Sequence, residues 1–464
     1  MQGSYAESID YSTSTVTASE SISDEITSNG ISIYLNTFRP KLDVWFTFNL
    51  SNKQPLTSSD PAVIESLALS GLNTHVQLPQ MLTVADKGKP YVTYKDSSGT
   101  PRIFIYSMPK DFPVIQEKGD TTALDKLNYL TTPTVAAGSY AIALQGTKVQ
   151  FFVKSSRFLV GFRKLSDTVG INLPSGLAKY AYLEKVELNR PSYSPGIWRL
   201  LDSEFENVGK VASLTLYGQT VYPEGHGITS SPVGNPVVMT YVPRKVDRTW
   251  LKFNDKPIIL DCVVSEVNNG KSRAQFSVWD WANTHRDVST AIMNAGIQDV
   301  DITSKGNPVD FCHMNSLQYY KTTQQYVVSL RSLDLLLVLD KTMKNVVQVL
   351  YSPGSKQHFA RFNSPTRITA LGNYTTDTAS KFMSWDLVNG KWVLSEKVLP
   401  IHVLFCGNTQ YTDSSHIWVG GGCPAFTDGV IGELFDISSG SAKEVGSLTA
   451  ADVGYSYRTD LYKP

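Results

Sequence analysis

Apolar and polar residues alternate over short stretches through most of the chain, and long helical periodicity is scarce. Residues 31–35 (Ile-Ser-Ile-Tyr-Leu) alternate, and residues 44–48 form a β-branched and aromatic run, so both predict strands. Residues 91–94 and 103–106 flank Asp96-Ser97-Ser98-Gly99, whose turn chemistry predicts a hairpin. Residues 140–144, 149–153 and 158–162 predict a further meander. Two short helices are expected. One spans 62–68, with Asp60 as its cap and Pro61 at its first position; the other spans 288–295.

The C-terminal half carries a larger rhythm. Residues 317–320, 326–330, 335–340 and 346–351 are four consecutive strand-like segments. Residues 381–387 and 391–398 are joined by Asn389-Gly390, a strong two-residue hairpin signal. Residues 402–406, 417–420, 430–436 and 442–448 again give four. Four strands every roughly 40–55 residues is the mark of propeller blades. The expected fold is therefore all-β: a β-propeller of about six blades over residues 76–464, preceded by a small β-region at 31–75. Residues 1–30 are Ser/Thr-rich and read as a polar arm, flexible or ordered by a partner.

Charge narrows the partners. Lys plus Arg and Asp plus Glu are 42 each, and no basic run appears, which argues against nucleic acid. Charged residues are 18% of the chain, with Ser, Thr, Asn, Gly and Tyr in their place, a palette that suits secreted or virion surfaces. No apolar run is long enough for a membrane helix, and residues 1–20 lack the basic and apolar regions of a secretory signal. Cys262, Cys312, Cys406 and Cys423 form no close pair, so they read as reduced, buried thiols rather than a zinc site. No His/Asp/Glu cluster has metal-ligand spacing, and no cofactor is expected.

Several segments from residue 237 onward resemble the bacterial arylsulfotransferases. Asp310-Phe311-Cys312-His313-Met314-Asn315-Ser316-Leu317 matches the family's His-x-Asn-(Ser/Ala) element. Tyr326-Val327-Val328-Ser329-Leu330-Arg331 matches a following strand that ends in Ser-x-Arg, with Arg331 eighteen residues after His313. Val278-Trp279-Asp280-Trp281 resembles the Trp-Asp segment of the preceding blade, and Lys356-Gln357-His358-Phe359-Ala360-Arg361 the Gln-His element of the next. Tyr455–Tyr462 resembles the closing strand. The resemblance implies sulfuryl transfer between phenols through a sulfated histidine, with no nucleotide cofactor. It makes His358 the nucleophile and His313 and Arg331 the groups that stabilise charged oxygens.

In the alignment this suggests, Val246 stands beside Asp247 where a further histidine is expected, and Leu371-Gly372-Asn373-Tyr374 replaces an Asp-Asn-Gly segment. Plainer roles are open beside the catalytic ones. His313, Arg331 and His358 could be channel or loop residues, His226 and His285 turn residues, and His402 and His416 strand residues. Two functions follow. One is a catalytically degenerate propeller that binds other protein chains. It could form a homo-oligomer or a bacteriophage virion part contacting a host surface receptor, and would be extracellular. The other is a working, periplasmic arylsulfotransferase. The degenerate reading is the leading expectation, with no appreciable turnover.

Overall fold

The computed structural model describes residues 112–462 apart from 137, 156, 166–169, 187–193, 204, 206, 248–257, 287–307, 375–378, 404–405, 422–428, 452 and 454. It also gives the backbone of six strands between Thr37 and Ile105. The expectations for residues 1–30, 31–35, 62–68 and 288–295 lie outside this set.

Six antiparallel sheets form the blades of a propeller. Blade 2 comprises Leu159–Lys164, Tyr180–Lys185, Gly196–Leu201 and Asn207–Val211; blade 3 comprises Ile228–Ser230, Pro236–Lys245, Ile258–Asn268 and Lys271–Ser277. Blade 4 is Met314–Tyr320, Gln325–Leu330, Leu335–Asp340 and Val346–Tyr351. Blade 5 is His358–Ser364, Arg367–Gly372, Lys381–Val388 and Lys391–Val398. The ring closes twice. In blade 1, Asn128–Val135, Gly138–Gln145 and Lys148–Ser155 take the C-terminal strand Tyr455–Leu461 as their innermost member. In blade 6, Asn408–Tyr411, His416–Gly420, Val430–Asp436 and Lys443–Ala451 take Val114–Gly119 on the outside. Buried apolar side chains fill the spaces between neighbouring blades, as with Val327, Leu336, Phe362 and Trp385 between blades 4 and 5. Each sheet thus covers its neighbour's faces, so the alternating strands need no helical layer.

Asn389 and Gly390 both have positive φ, 49° and 75°, as the predicted two-residue hairpin requires. The hairpin Lys89–Lys95/Pro101–Ile105 also forms around the predicted turn. Two strand expectations are corrected. Leu159–Lys164 does not continue the meander; it pairs with Tyr180–Lys185 and opens blade 2. His402, Val403 and Cys406 lie outside the inner strand of blade 6, which is Asn408–Tyr411. The carbonyls of Val403 and Cys406 accept from the Asn373 side chain instead of from a strand.

The cysteines are also not the expected thiols. Cys262, in blade 3, is disulfide-bonded to Cys312, in the entry to blade 4, with Cα atoms 6.3 Å apart. Cys406 is disulfide-bonded as well, and Cys423 lies outside the described residues. The partners are 50 residues apart in sequence, a distance spanned by a blade edge, so spacing alone could not pair them. Closing so long a loop constrains the unfolded chain. Cys312→Ser should lower stability by about 2–5 kcal/mol, read as a reduced denaturation midpoint, and a reductant should reproduce the loss.

Blade 6 carries a second stability determinant. Burial, with Glu444 nearby, pushes the Glu433 carboxyl up to about 7 from 4.5. The folded state therefore holds a proton that the unfolded state releases. The resulting penalty grows as pH rises from about 4.5 to about 7 and is full above that. Glu433→Gln should raise Tm at pH 8 and change it little at pH 4.5; an equal shift at both would remove ionisation as the cause.

Candidate functional site

Inner strands of successive blades run in the same sense along the channel, so residues that open them meet at one end. His226 lies two residues before Ile228–Ser230, His313 immediately precedes Met314–Tyr320, and His358 opens His358–Ser364. Arg331 reaches the same end by a different route. Met314–Tyr320 runs away from it and Gln325–Leu330 returns antiparallel, which sets Arg331 N–H on the His313 carbonyl at 3.0 Å. The eighteen-residue spacing is thus one strand out and one strand back.

The remaining motif residues lock the blades together. Asn315 Nδ2 donates to the Gln357 carbonyl at 2.7 Å, and Ser329 Oγ donates to it at 3.2 Å. The Ser316 hydroxyl accepts the Ala360 N–H at 2.8 Å. The buried Gln357 amide donates to the Leu330 and Leu335 carbonyls and accepts from Ser352 and Ser355. A buried amide this fully satisfied leaves its backbone little freedom, so the neighbouring His358 is held against blade 4.

Each channel histidine is anchored through Nδ1. His226 pairs with the fully buried Glu224 at 3.0 Å, and His313 with Asp310 at 2.6 Å. His358 Nδ1 faces two neutral acceptors, the Lys356 carbonyl at 3.1 Å and Asn373 Oδ1. The Asn373 amide orientation follows from its Nδ2, which donates to the carbonyls of Val403 and Cys406. His358 Nδ1 therefore carries the proton, and Nε2 keeps its lone pair.

Electrostatics groups these residues. Burial holds the His358 imidazole well below its usual pKa, and Arg331, His313 and His226 each lower it further. Burial also lowers His313, against the opposing pull of Asp310. The His226 and His313 rings are 6.0 Å apart. Among the described residues no carboxylate or hydrogen-bond acceptor engages the Arg331 guanidinium. The structure thus brings His313, Arg331 and His358 together and adds His226. His313 (φ 43°), Lys356 (47°) and Phe359 (57°) hold positive φ around the site.

His226 is the residue that sequence reasoning passed over. Val246 follows the strand Pro236–Lys245 and packs against the core shared by blades 3 and 4. The position equivalent to His313 and His358 in blade 3 is occupied by His226. The usable signal was Glu224-Gly225-His226-Gly227 just ahead of a strand. Of the other histidines, His285 caps the helix Val278–Thr284, and His416 opens a strand and pairs with Asp413. His402 lies outside any strand.

No protein-family model and no curated protein matches the chain. Solved structures that match include a protein assigned as a 6-phosphogluconolactonase from Bacteroides fragilis (9% identity, 70% of this chain and 82% of that one, TM-score 0.41). Others are virginiamycin B lyase from Staphylococcus aureus (8%, 79% and 93%, 0.36) and the C-terminal WD40 domain of Sif2 (9%, 74% and 93%, 0.35). At these identities and scores they carry no functional argument.

Proposed function

We propose that the channel end bearing His226, His313, Arg331 and His358 transfers a sulfuryl group from an aryl sulfate to a phenol through His358. The observation that carries this reading is the Nδ1 anchoring of His358 by neutral acceptors, which leaves a neutral Nε2 within the electrostatic reach of the Arg331 cation. The geometry supports group transfer to an imidazole, and the sequence resemblance supplies sulfuryl as the group.

In the first half-reaction, the Nε2 lone pair forms an N–S bond as the S–O bond to the aryl group breaks. The electron pair leaves on the phenolate oxygen, which Arg331 stabilises. In the second, the acceptor phenol oxygen attacks sulfur, its proton passes to His313 Nε2, and the N–S pair returns to His358. Asp310 stabilises the imidazolium so formed, which then releases its proton to solvent. His226, held by Glu224, faces a sulfuryl oxygen. The test is a chromogenic aryl sulfate with a phenol acceptor: turnover at enzyme-like rates supports the reading, and its absence returns the degenerate, non-catalytic reading to first place.

Contact with other protein chains, as a homo-oligomer or virion part, is a second role. It is favoured by Val347, Tyr351, Val393 and Val398, which stand exposed on the outermost strands of blades 4 and 5. Light scattering that reports a monomer at all concentrations would remove the homo-oligomer. The Cys262–Cys312 disulfide favours an oxidising setting, extracellular, virion or periplasmic, for either role.

A further inference from the structure

We infer that Asp334 is a positioning residue for the transfer proposed above: its carboxylate sets the loop carrying His358 against the turn carrying Arg331. The inference rests on that reading for its effect on rate, and on the hydrogen bonds alone for its effect on the His358 ring. Residues 331–334 form the turn between Gln325–Leu330 and Leu335–Asp340, with the Asp334 N–H on the Arg331 carbonyl at 3.3 Å. Asp334 holds φ 52°, a conformation that aspartate tolerates better than most side chains. From this turn it reaches the segment 352–358 at several points. Its Oδ1 accepts the Lys356 N–H at 2.9 Å, and its Oδ2 accepts the Gly354 N–H at 3.0 Å and the Lys356 ammonium at 3.3 Å. Its carbonyl accepts the Ser352 N–H at 2.9 Å and the Ser352 hydroxyl at 3.0 Å.

Lys356 passes this hold on to the ring. Its carbonyl is the acceptor 3.1 Å from His358 Nδ1. Its φ of 47° is one that a lysine keeps only where its surroundings impose it. Asp334 therefore fixes a group that keeps the proton on Nδ1 and the lone pair on Nε2. A turn aspartate is ordinarily a local cap, and blade 4 has one at its other end. Asp340 accepts from Thr342, Lys344 and Asn345, all in its own turn. Asp334 differs, because its carboxylate bonds lie 20 to 22 residues ahead, in the loop that opens blade 5.

Two measurements on the full chain test the assignment, with Asp340→Asn as the matched control. The first is imidazole nitrogen NMR of histidine-labelled protein without substrate, which reports the His358 tautomer. Wild type and Asp340→Asn should show the Nδ1–H form. Asp334→Asn tolerates the same φ but sets an NH2 group against N–H donors, and should show a mixture of tautomers. The second is turnover of a chromogenic aryl sulfate with a phenol acceptor. In Asp334→Asn kcat should fall at least about tenfold, with KM little changed because Asp334 bonds the loop rather than the substrate. Asp340→Asn should keep its kcat. Ser352→Ala removes one bond to Asp334 and should change the tautomer and kcat in the same direction by less, which gives the readout should Asp334→Asn fail to fold. A wild-type tautomer in whichever of the Asp334 and Ser352 variants folds would overturn the inference, as would an equal change in Asp340→Asn. Absence of turnover in the wild type would remove the transfer reading instead, and the tautomer would still decide for or against Asp334.

Discussion

His358→Ala is expected to abolish sulfuryl transfer, with kcat/KM falling by at least about 10⁴-fold. The expectation rests on the loss of the atom that forms the N–S bond, which no neighbour can supply from the same place. His313 and His226 are fixed by carboxylates on their own blades and cannot swing into the vacated position. The fold should survive, because the anchor residue Gln357 and its bonds remain. Leaving Asn373 Oδ1 without its donor costs about 1–3 kcal/mol. In the wild type, burial and the nearby cations hold His358 neutral below the usual imidazole range, so the rate should persist as pH falls through about 6.5. Because the folded pKa is depressed, the unfolded chain takes up protons first, and stability falls as pH drops below that same value. A His358→Ala protein that retains turnover would remove this residue from the chemistry.

The second large effect is expected at His226. His226→Asn, whose amide stands where Nδ1 does, should lower kcat by about 10²- to 10³-fold. Its amide can still donate to Glu224, so the buried carboxylate keeps a partner. A residue that served only the turn would change Tm and leave kcat alone. This variant separates two accounts of the third histidine. If it stands at His226, the substitution costs rate; if the site lacks one, as the alignment to Val246 implied, it does not.

The blades were legible because their signals are local. Strand alternation and turn residues such as Asn389-Gly390 act over a few positions, and blade 4 forms from the four segments read for it. That His313 and Arg331 share one end of a blade was legible through their spacing, which the out-and-back path of one strand pair explains. What was hidden depends on closure of the ring. Cys262 and Cys312 meet only when blade 3 packs beside the entry to blade 4. Asn373 acquires its role from carbonyls some thirty residues later, at Val403 and Cys406. His226 was misplaced because Asp247 drew the alignment to the far end of a strand, where Val246 serves the core.

The most direct test of the central claim is to trap the covalent intermediate. The full-length protein, incubated with an aryl sulfate and no acceptor and then peptide-mapped by mass spectrometry at alkaline pH, should carry one sulfuryl group on His358. Adding a phenol should discharge it with formation of the new aryl ester. A protein that releases phenolate without labelling His358, or that carries the label on another residue, would contradict the account.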